Sequence, residues 1–291
     1  MSDYQIVILF LSLVIYEYIK DYRYINLWSA IFRYSLSRDM EYKTNFIGSL
    51  FVDSIYYLVW YYFFEIIYSK TDMLGDFSRE DILVFLIATF FVDTIFMMLF
   101  DGAAYLREHI RTGSLDFILL RPVNSQFLIS FRYIRSYAIV SLLILSIILY
   151  NILITFHPNS LNILNVSLFS ISLLMGVLIW YSFEFIIASL TFYFRDFRTG
   201  GWLTHEVLKF SMRPDSIYTG FMRKILFTIL PMALVASVPS RLLLDGFTPQ
   251  NQQYLLAQII VVSILLILTR VFWKIGLKQY ESAQSYTGPV L

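Results

Sequence analysis

The sequence has no cysteine, and charged residues are scarce. Without cysteine, disulfide frameworks, thiolate metal sites and cysteine nucleophiles are all excluded. Charged side chains make up 15% of the 291 residues, whereas soluble domains carry about 25%. The formal net charge is only +1, so no strong basic or acidic field indicates nucleic acid as a partner. The hydrophobic content of 58% points instead to a membrane protein.

Several chemical motifs are also missing. The sequence contains no G-x-x-x-x-G-K-[ST] loop, so the chain cannot cradle the phosphates of ATP by itself. It has no H-E-x-x-H pair, and its histidines are far apart in sequence: His109, His157 and His205. We therefore predict no metal site, no bound cofactor and no catalytic residue on this chain.

Long apolar runs are abundant, and about 20 such residues cross the hydrocarbon of a bilayer. Each run is predicted to be a helix, because lipid offers no partner to an unpaired backbone group. Lys and Arg concentrate in the loop between the second and third predicted spans and in the other segments on the same side of the membrane. That side is therefore predicted to face the cytoplasm. The predicted spans are Phe46–Tyr68, Ile82–Phe100, Ser136–Phe156, Val166–Phe194 and Tyr254–Trp273.

Two regions complicate this simple pattern. In the region from Thr199 to Gly246, Pro231 and Pro239 interrupt an apolar stretch. We therefore expect this region to contain a further span and a broken or re-entrant helix. The sequence does not show which half of the region crosses the membrane. Residues 1–26 form an extra hydrophobic segment, either a span or an interfacial helix. Trp28–Lys43 is amphipathic and is predicted to lie along the membrane surface. The fold class is thus an all-α integral membrane protein of about six spans, with residues 27–291 as one domain.

The loop 101–135 between the second and third spans is too long for a turn and too basic for the bilayer. Gly113 can adopt the left-handed conformation that ends a helix, and a second short helix would start near Leu115 and stop at Pro122. A short, partly apolar helix held in the cytoplasm favours docking into a groove of a protein partner. A helix lying along the lipid headgroups is the alternative.

The segment Arg111–Val123, Arg-Thr-Gly-Ser-Leu-Asp-Phe-Ile-Leu-Leu-Arg-Pro-Val, resembles the signature RxGxLDxxLLRPV. That signature marks one group of ATP-binding-cassette permeases of the second, exporter-like class. Phe32–Gly48 looks like the entry helix of that group, and Ile225–Leu244 is similar to its late proline-containing stretch. The resemblance runs from about Ile25 to the C-terminus, and Met1–Tyr24 departs from it.

The resemblance implies a six-span permease subunit of an exporter in the cell membrane of a bacterium. It implies a second permease, identical or related, and separate cytoplasmic ATPase subunits that bind ATP and Mg²⁺. It also implies that the loop contacts the ATPase through a coupling helix. The predicted contact residues are Arg111, Gly113, Leu115, Asp116, Arg121 and Pro122.

Ionisable residues inside spans are costly and often functional, and the predicted spans contain Asp53, Glu65, Asp93 and Glu184. Of these, Asp53, Asp93 and Glu184 are the predicted pathway residues. They either line a substrate path or form ordinary hydrogen bonds between helices. An ion-coupled transporter that uses Asp93 or Glu184 as its proton site is the second functional hypothesis. The third functional hypothesis is a membrane enzyme that acts on lipid-linked substrates. Such an enzyme needs a cluster of catalytic polar residues at one interface, and this sequence does not show one.

Overall fold

The computed structural model describes residues 22–194, 197 and 199–280. Most of the extra segment within residues 1–26 lies outside this part, so the prediction for it stays open. The described chain is a bundle of α-helices, as predicted, with one short β-hairpin added. The helices are α1 (Tyr22–Glu41), α2 (Lys43–Tyr68), α3 (Arg79–Phe100), α4 (Gly102–Thr112), α5 (Asp116–Leu119), α6 (Ser125–Phe131), α7 (Ala138–Phe156), α8 (Ile163–Ser189), α9 (Gly200–Leu208), α10 (Gly220–Thr228), α11 (Ala233–Leu244) and α12 (Pro249–Gln279).

Five helices are long and apolar enough to cross a membrane: α2, α3, α7, α8 and α12. They correspond to the five predicted spans. The last one starts earlier than predicted, at Pro249, because the Thr248 hydroxyl accepts a hydrogen bond from the backbone N–H of Asn251 and caps the helix. Hydropathy alone misses this polar first turn, since it contains no apolar residue to detect.

The bundle has two ends with different structures. At one end the strands β1 (Met73–Leu74) and β2 (Phe77–Ser78) pair in an antiparallel hairpin, and Ser78 caps α3 through a capping box with Asp81. At the other end α4, α5 and α6 form the loop that was predicted to be cytoplasmic. We call these the hairpin end and the elbow end, and we call residues 101–135 the elbow.

The structure indicates how the ambiguous region crosses the bundle. Gly201 lies beside the Arg107 guanidinium at the elbow end, where a Cβ on Gly201 would be 3.3 Å from Nη2. Ser216 lies at the hairpin end, where its hydroxyl accepts a hydrogen bond from the Asp76 backbone N–H at 3.1 Å. The chain between them is α9, a short 3-10 turn at Lys209–Met212 and an extended stretch. This segment supplies the further crossing.

The helices α10 and α11 do not cross the bundle, because they start and finish at the hairpin end. Near the start, the Arg223 guanidinium lies 2.9 Å from the Asp215 carboxylate. At the finish, the Ser160 hydroxyl donates a hydrogen bond to the Leu244 carbonyl at 3.1 Å. Between them the chain bends by 90° near Pro231. The predicted re-entrant element is therefore this pair, which we call the re-entrant hairpin.

The core lies where α3, α8 and α11 meet. Gly176 lets α8 and α11 approach so closely that a Cβ would lie 2.4 Å from the Val235 carbonyl oxygen. The fully buried Gln258 amide links three helices: it accepts from the Ser172 hydroxyl at 2.7 Å and donates to the Leu234 carbonyl at 2.9 Å. Close backbone contact and satisfied polar groups thus hold the re-entrant hairpin inside the bundle.

The amphipathic helix α1 starts and ends earlier than predicted and packs against the elbow end. Its Arg38 donates to the Ile134 carbonyl at 3.2 Å, and its Asp39 carboxylate accepts from the Ser136 hydroxyl at 2.7 Å. Near its start, the Tyr24 hydroxyl accepts a hydrogen bond from the Asn124 backbone N–H. The helix is therefore fixed to the segment that precedes α7.

Candidate functional site

The elbow begins with α4 and reverses at Gly113. Gly113 adopts a φ of 72°, the left-handed conformation predicted for it, and terminates α4. The Leu115 N–H donates to the His109 carbonyl at 3.1 Å across this turn. The His109 imidazole also bonds the Ser114 hydroxyl at 2.8 Å. Burial, reinforced by the charge of Arg132, lowers the pKa of His109, so the ring favours its neutral form.

The short helix α5 is anchored on one side and exposed on the other. Leu115 and Ile118 are fully buried against the bundle. Phe117 is 72% exposed and Leu120 is 82% exposed, so two large apolar side chains project away from the protein. Large exposed apolar groups at one place mark interaction surfaces. We call Phe117, Leu120, Arg121 and Pro122 the tip of the elbow.

The six residues predicted to contact an ATPase divide among three environments. Arg111, Arg121 and Pro122 are exposed, whereas Gly113 and Leu115 are buried in the support of the turn. Asp116 is half-buried and lies beside the hydroxyl of Tyr280, at the end of α12. Burial and this carboxylate both raise the pKa of Tyr280.

Sequence reasoning missed the two large apolar members of the tip, Phe117 and Leu120. A signal was present in the spacing, since they are three residues apart and alternate with Leu115 and Ile118. In a short helix that spacing places the two pairs on opposite faces. Helical geometry therefore distinguishes the anchor from the tip.

A buried ion pair joins the elbow to the spans. The Arg107 guanidinium of α4 lies 2.6 Å from the Glu184 carboxylate of α8, and both side chains are mostly buried. The side chains of Thr204 and His205 on α9 also lie near Glu184. The structure thus gives Glu184 a cationic partner and places it at the elbow end of its span. A displacement of α4 would act directly on α8 and α9.

A second ion pair fixes the other side of the elbow. Asp101, which follows α3, receives two hydrogen bonds of 3.0 Å from the Arg135 guanidinium. Burial raises the pKa of Asp101 even though the adjacent guanidinium favours its charged form. Both limbs of the elbow are consequently tied to each other by a bidentate contact.

The remaining intramembrane carboxylates lie together, away from Glu184. Asp53 on α2 accepts a hydrogen bond from the Ser141 hydroxyl on α7 at 3.0 Å. Asp93 on α3 is half-buried near Asp53 and near the hydroxyl of Tyr56. The structure therefore brings two of the three predicted residues into one polar region between α2, α3 and α7.

These features define a multi-pass helical membrane protein with a re-entrant hairpin at one end and an elbow at the other. In the comparison with known families, residues 54–284 match the model of the ABC-2 family transporter proteins. No curated protein and no solved structure matches the chain in the corresponding comparisons. The family match covers most of the chain, so the protein belongs to the ABC-2 transporter family. It is a membrane subunit of an ABC transporter.

Proposed function

We propose that this chain is the permease subunit of an ATP-driven exporter in the cell membrane, coupled to a separate cytoplasmic ATPase through the tip of the elbow. The observation that carries the proposal is the division of α5. Fully buried Leu115 and Ile118 hold it rigidly, while Phe117 and Leu120 are presented to solvent. An exposed apolar pair beside a basic residue fits a groove in a protein partner.

The chain needs such a partner because its sequence has no phosphate-binding loop. In the proposed cycle, closure of an ATP-bound ATPase dimer displaces the tip. The anchored elbow moves as a unit, and the Arg107–Glu184 pair transfers the displacement to α8. A second permease, identical or related, completes the pathway. ATP and Mg²⁺ stay on the ATPase.

The anchor also argues against a helix that merely rests on the headgroups. A surface helix is held by the burial of its apolar side chains in lipid, whereas this segment is already held by Leu115 and Ile118, which are buried in protein. Asp101 and Arg135 join the two limbs and so fix the base of the elbow that carries the tip.

The test compares F117E and L120E with F221E. Phe221 is 80% exposed on the re-entrant hairpin, so the same charge is introduced at the opposite end of the bundle. Each variant is extracted in mild detergent from its native cells, co-purifying proteins are identified, and ATP hydrolysis is measured. We expect a stoichiometric ATPase with the wild type and with F221E, and its loss with F117E and L120E.

Two results would contradict the proposal. If F117E and L120E retain the ATPase and its stimulated hydrolysis, the tip is not the docking site. If the wild type purifies alone under mild extraction and transports without ATP, the ion-coupled alternative gains support. Asp93 would then be the first residue to replace, because Glu184 already has a cationic partner.

A further inference from the structure

A cavity of about 410 Å³ lies at the elbow end, between α1, α2 and the segment that precedes α7. Its volume falls within the roughly 300–1,000 Å³ of small-molecule sites. It is separate from the tip of the elbow and from the Arg107–Glu184 pair. We call it the interfacial pocket, because the amphipathic helix α1 forms one of its walls.

The charged groups of the interfacial pocket are balanced. Arg38 pairs with Asp39 and Arg135 pairs with Asp101, each at 3.0 Å. The guanidinium side chains remain 39% and 33% exposed, so each has donors left for a ligand. Two cations and two anions around one cavity complement a zwitterion better than a simple anion, which the carboxylates would repel.

Tyrosines form much of the remaining wall. The rings of Tyr105 and Tyr133 lie together with their centroids 4.4 Å apart, and Tyr42 and Tyr137 also line the cavity. Tyrosine is typical of the depth at which lipid headgroups lie. Its hydroxyl can bond a phosphate, and its ring face attracts an ammonium group.

The pocket continues onto a lipid-facing surface. Asn45, Phe46 and Ser49 of α2 line the cavity. Further along the adjoining face of α2, Val52 lies three residues beyond Ser49 and Val59 lies two turns beyond Val52, and their apolar side chains are 64% and 59% exposed. A ligand with its polar group in the pocket could therefore lay hydrocarbon chains along α2. A soluble phosphorylated metabolite would gain nothing from this surface.

We infer that the interfacial pocket binds the headgroup of a zwitterionic phospholipid from the adjoining leaflet, such as phosphatidylethanolamine. The phosphate is placed against Arg38 and Arg135, and the ammonium group against the tyrosine rings and the paired carboxylates. The acyl chains follow α2. This inference requires only that the chain is embedded in a membrane, so it does not depend on how transport is energised.

The experiment is native mass spectrometry of the full chain, released from mild detergent after incubation with equimolar phosphatidylethanolamine and phosphatidylglycerol of matched acyl chains. We expect one retained phosphatidylethanolamine per chain. R38Q removes a charge-assisted contact with phosphate and should weaken retention about tenfold. R33Q is the control, because Arg33 is exposed on the same helix and does not line the pocket.

Y105F gives a second variant that keeps every ion pair, and it should weaken retention about threefold through loss of one hydroxyl. Soluble glycerophosphoethanolamine should not compete at the lipid concentration. Equal retention of the two lipids, preference for phosphatidylglycerol, or equal effects of R38Q and R33Q would each overturn the assignment. Effective competition by the soluble headgroup would overturn the role of the acyl chains.

Discussion

The Arg107 guanidinium and the Glu184 carboxylate lie 2.6 Å apart and connect the elbow to the fourth long helix of the bundle. Neither charge would be stable alone in this position, because few water molecules can reach it. The pair therefore fixes where α4 meets α8. It also explains why an acidic residue is tolerated within an apolar span.

Replacement of one member of this pair should be more damaging than replacement of both. E184M leaves the Arg107 charge buried without its counter-ion, at a cost of about 3 kcal/mol, and R107M does the same to Glu184, whereas R107M/E184M should recover most of that loss. The measurement is thermal unfolding in detergent, analysed as a double-mutant cycle. E108Q is the control, since it breaks the exposed Arg111–Glu108 pair and should cost below about 1 kcal/mol. If the losses of stability caused by the single replacements of Arg107 and Glu184 simply add in the double variant, the two residues do not form a direct pair.

Gly113 is predicted to tolerate alanine poorly. Its φ of 72° costs an L-residue about 1–2 kcal/mol, so G113A should lower the unfolding temperature and weaken coupling to the ATPase. G48A is the control, because Gly48 lies inside α2 with open space around it. Alanine there should stabilise the helix by about 0.5–1 kcal/mol. A neutral G113A would show that the turn can relax.

The elbow should lose stability in mildly acidic solution. The pKa of His109 is lowered in the folded protein, so the unfolded chain binds the proton more tightly. The contribution of neutral His109 to the free energy of unfolding is therefore fully present well above the unfolded pKa of about 6.5. It decreases as the pH falls through that value. Thermal unfolding from pH 8 to pH 5.5 checks this dependence. H109Q should show a shallower decrease, and an unchanged slope would exclude His109 as its source.

The ion cluster at the hairpin end gives another test. Fully buried Asp215 lies 2.8 Å from the Arg241 guanidinium and 2.9 Å from the Arg223 guanidinium. D215N should cost about 3–5 kcal/mol, because it leaves Arg241 buried with too little compensating charge. The matched control is E65Q, which breaks the exposed Arg79–Glu65 pair at the same end and should change stability little. Similar effects of the two variants would count against a structural role for Asp215.

The sequence predicts much of this fold because membrane insertion depends on simple quantities. Length and apolar content locate the five long spans, and Gly113 locates the turn of the elbow. The further crossing cannot be found this way, since α9 is short and includes His205 and Glu206, and the crossing finishes in an extended stretch. The helix at 220–228 is likewise ambiguous until its contacts at the hairpin end are known.

Side-chain partners are harder to predict than helices. Glu184 is conspicuous in its span, but nothing near it in the sequence identifies Arg107 as its partner, because the two are joined only by tertiary packing. Asp53 and Asp93 are similar: their proximity follows from the way α2 packs on α3. Hydropathy patterns describe single helices, whereas these contacts depend on the rotation of each helix about its axis.

The re-entrant hairpin has a consequence for the order in which this protein assembles. Neither α10 nor α11 crosses the bundle, because the pair starts and finishes at the hairpin end. Backbone groups near its 90° bend need partners in the protein, since lipid offers none. Two helices that flank the hairpin in the chain hold α11 in place. Gly176 on α8 leaves room for the Val235 carbonyl, and the Gln258 amide on α12 donates a hydrogen bond to the Leu234 carbonyl. The long spans must therefore be in the membrane before the hairpin can enter. The buried helix α11 is thus among the last parts of the protein to be completed during biogenesis.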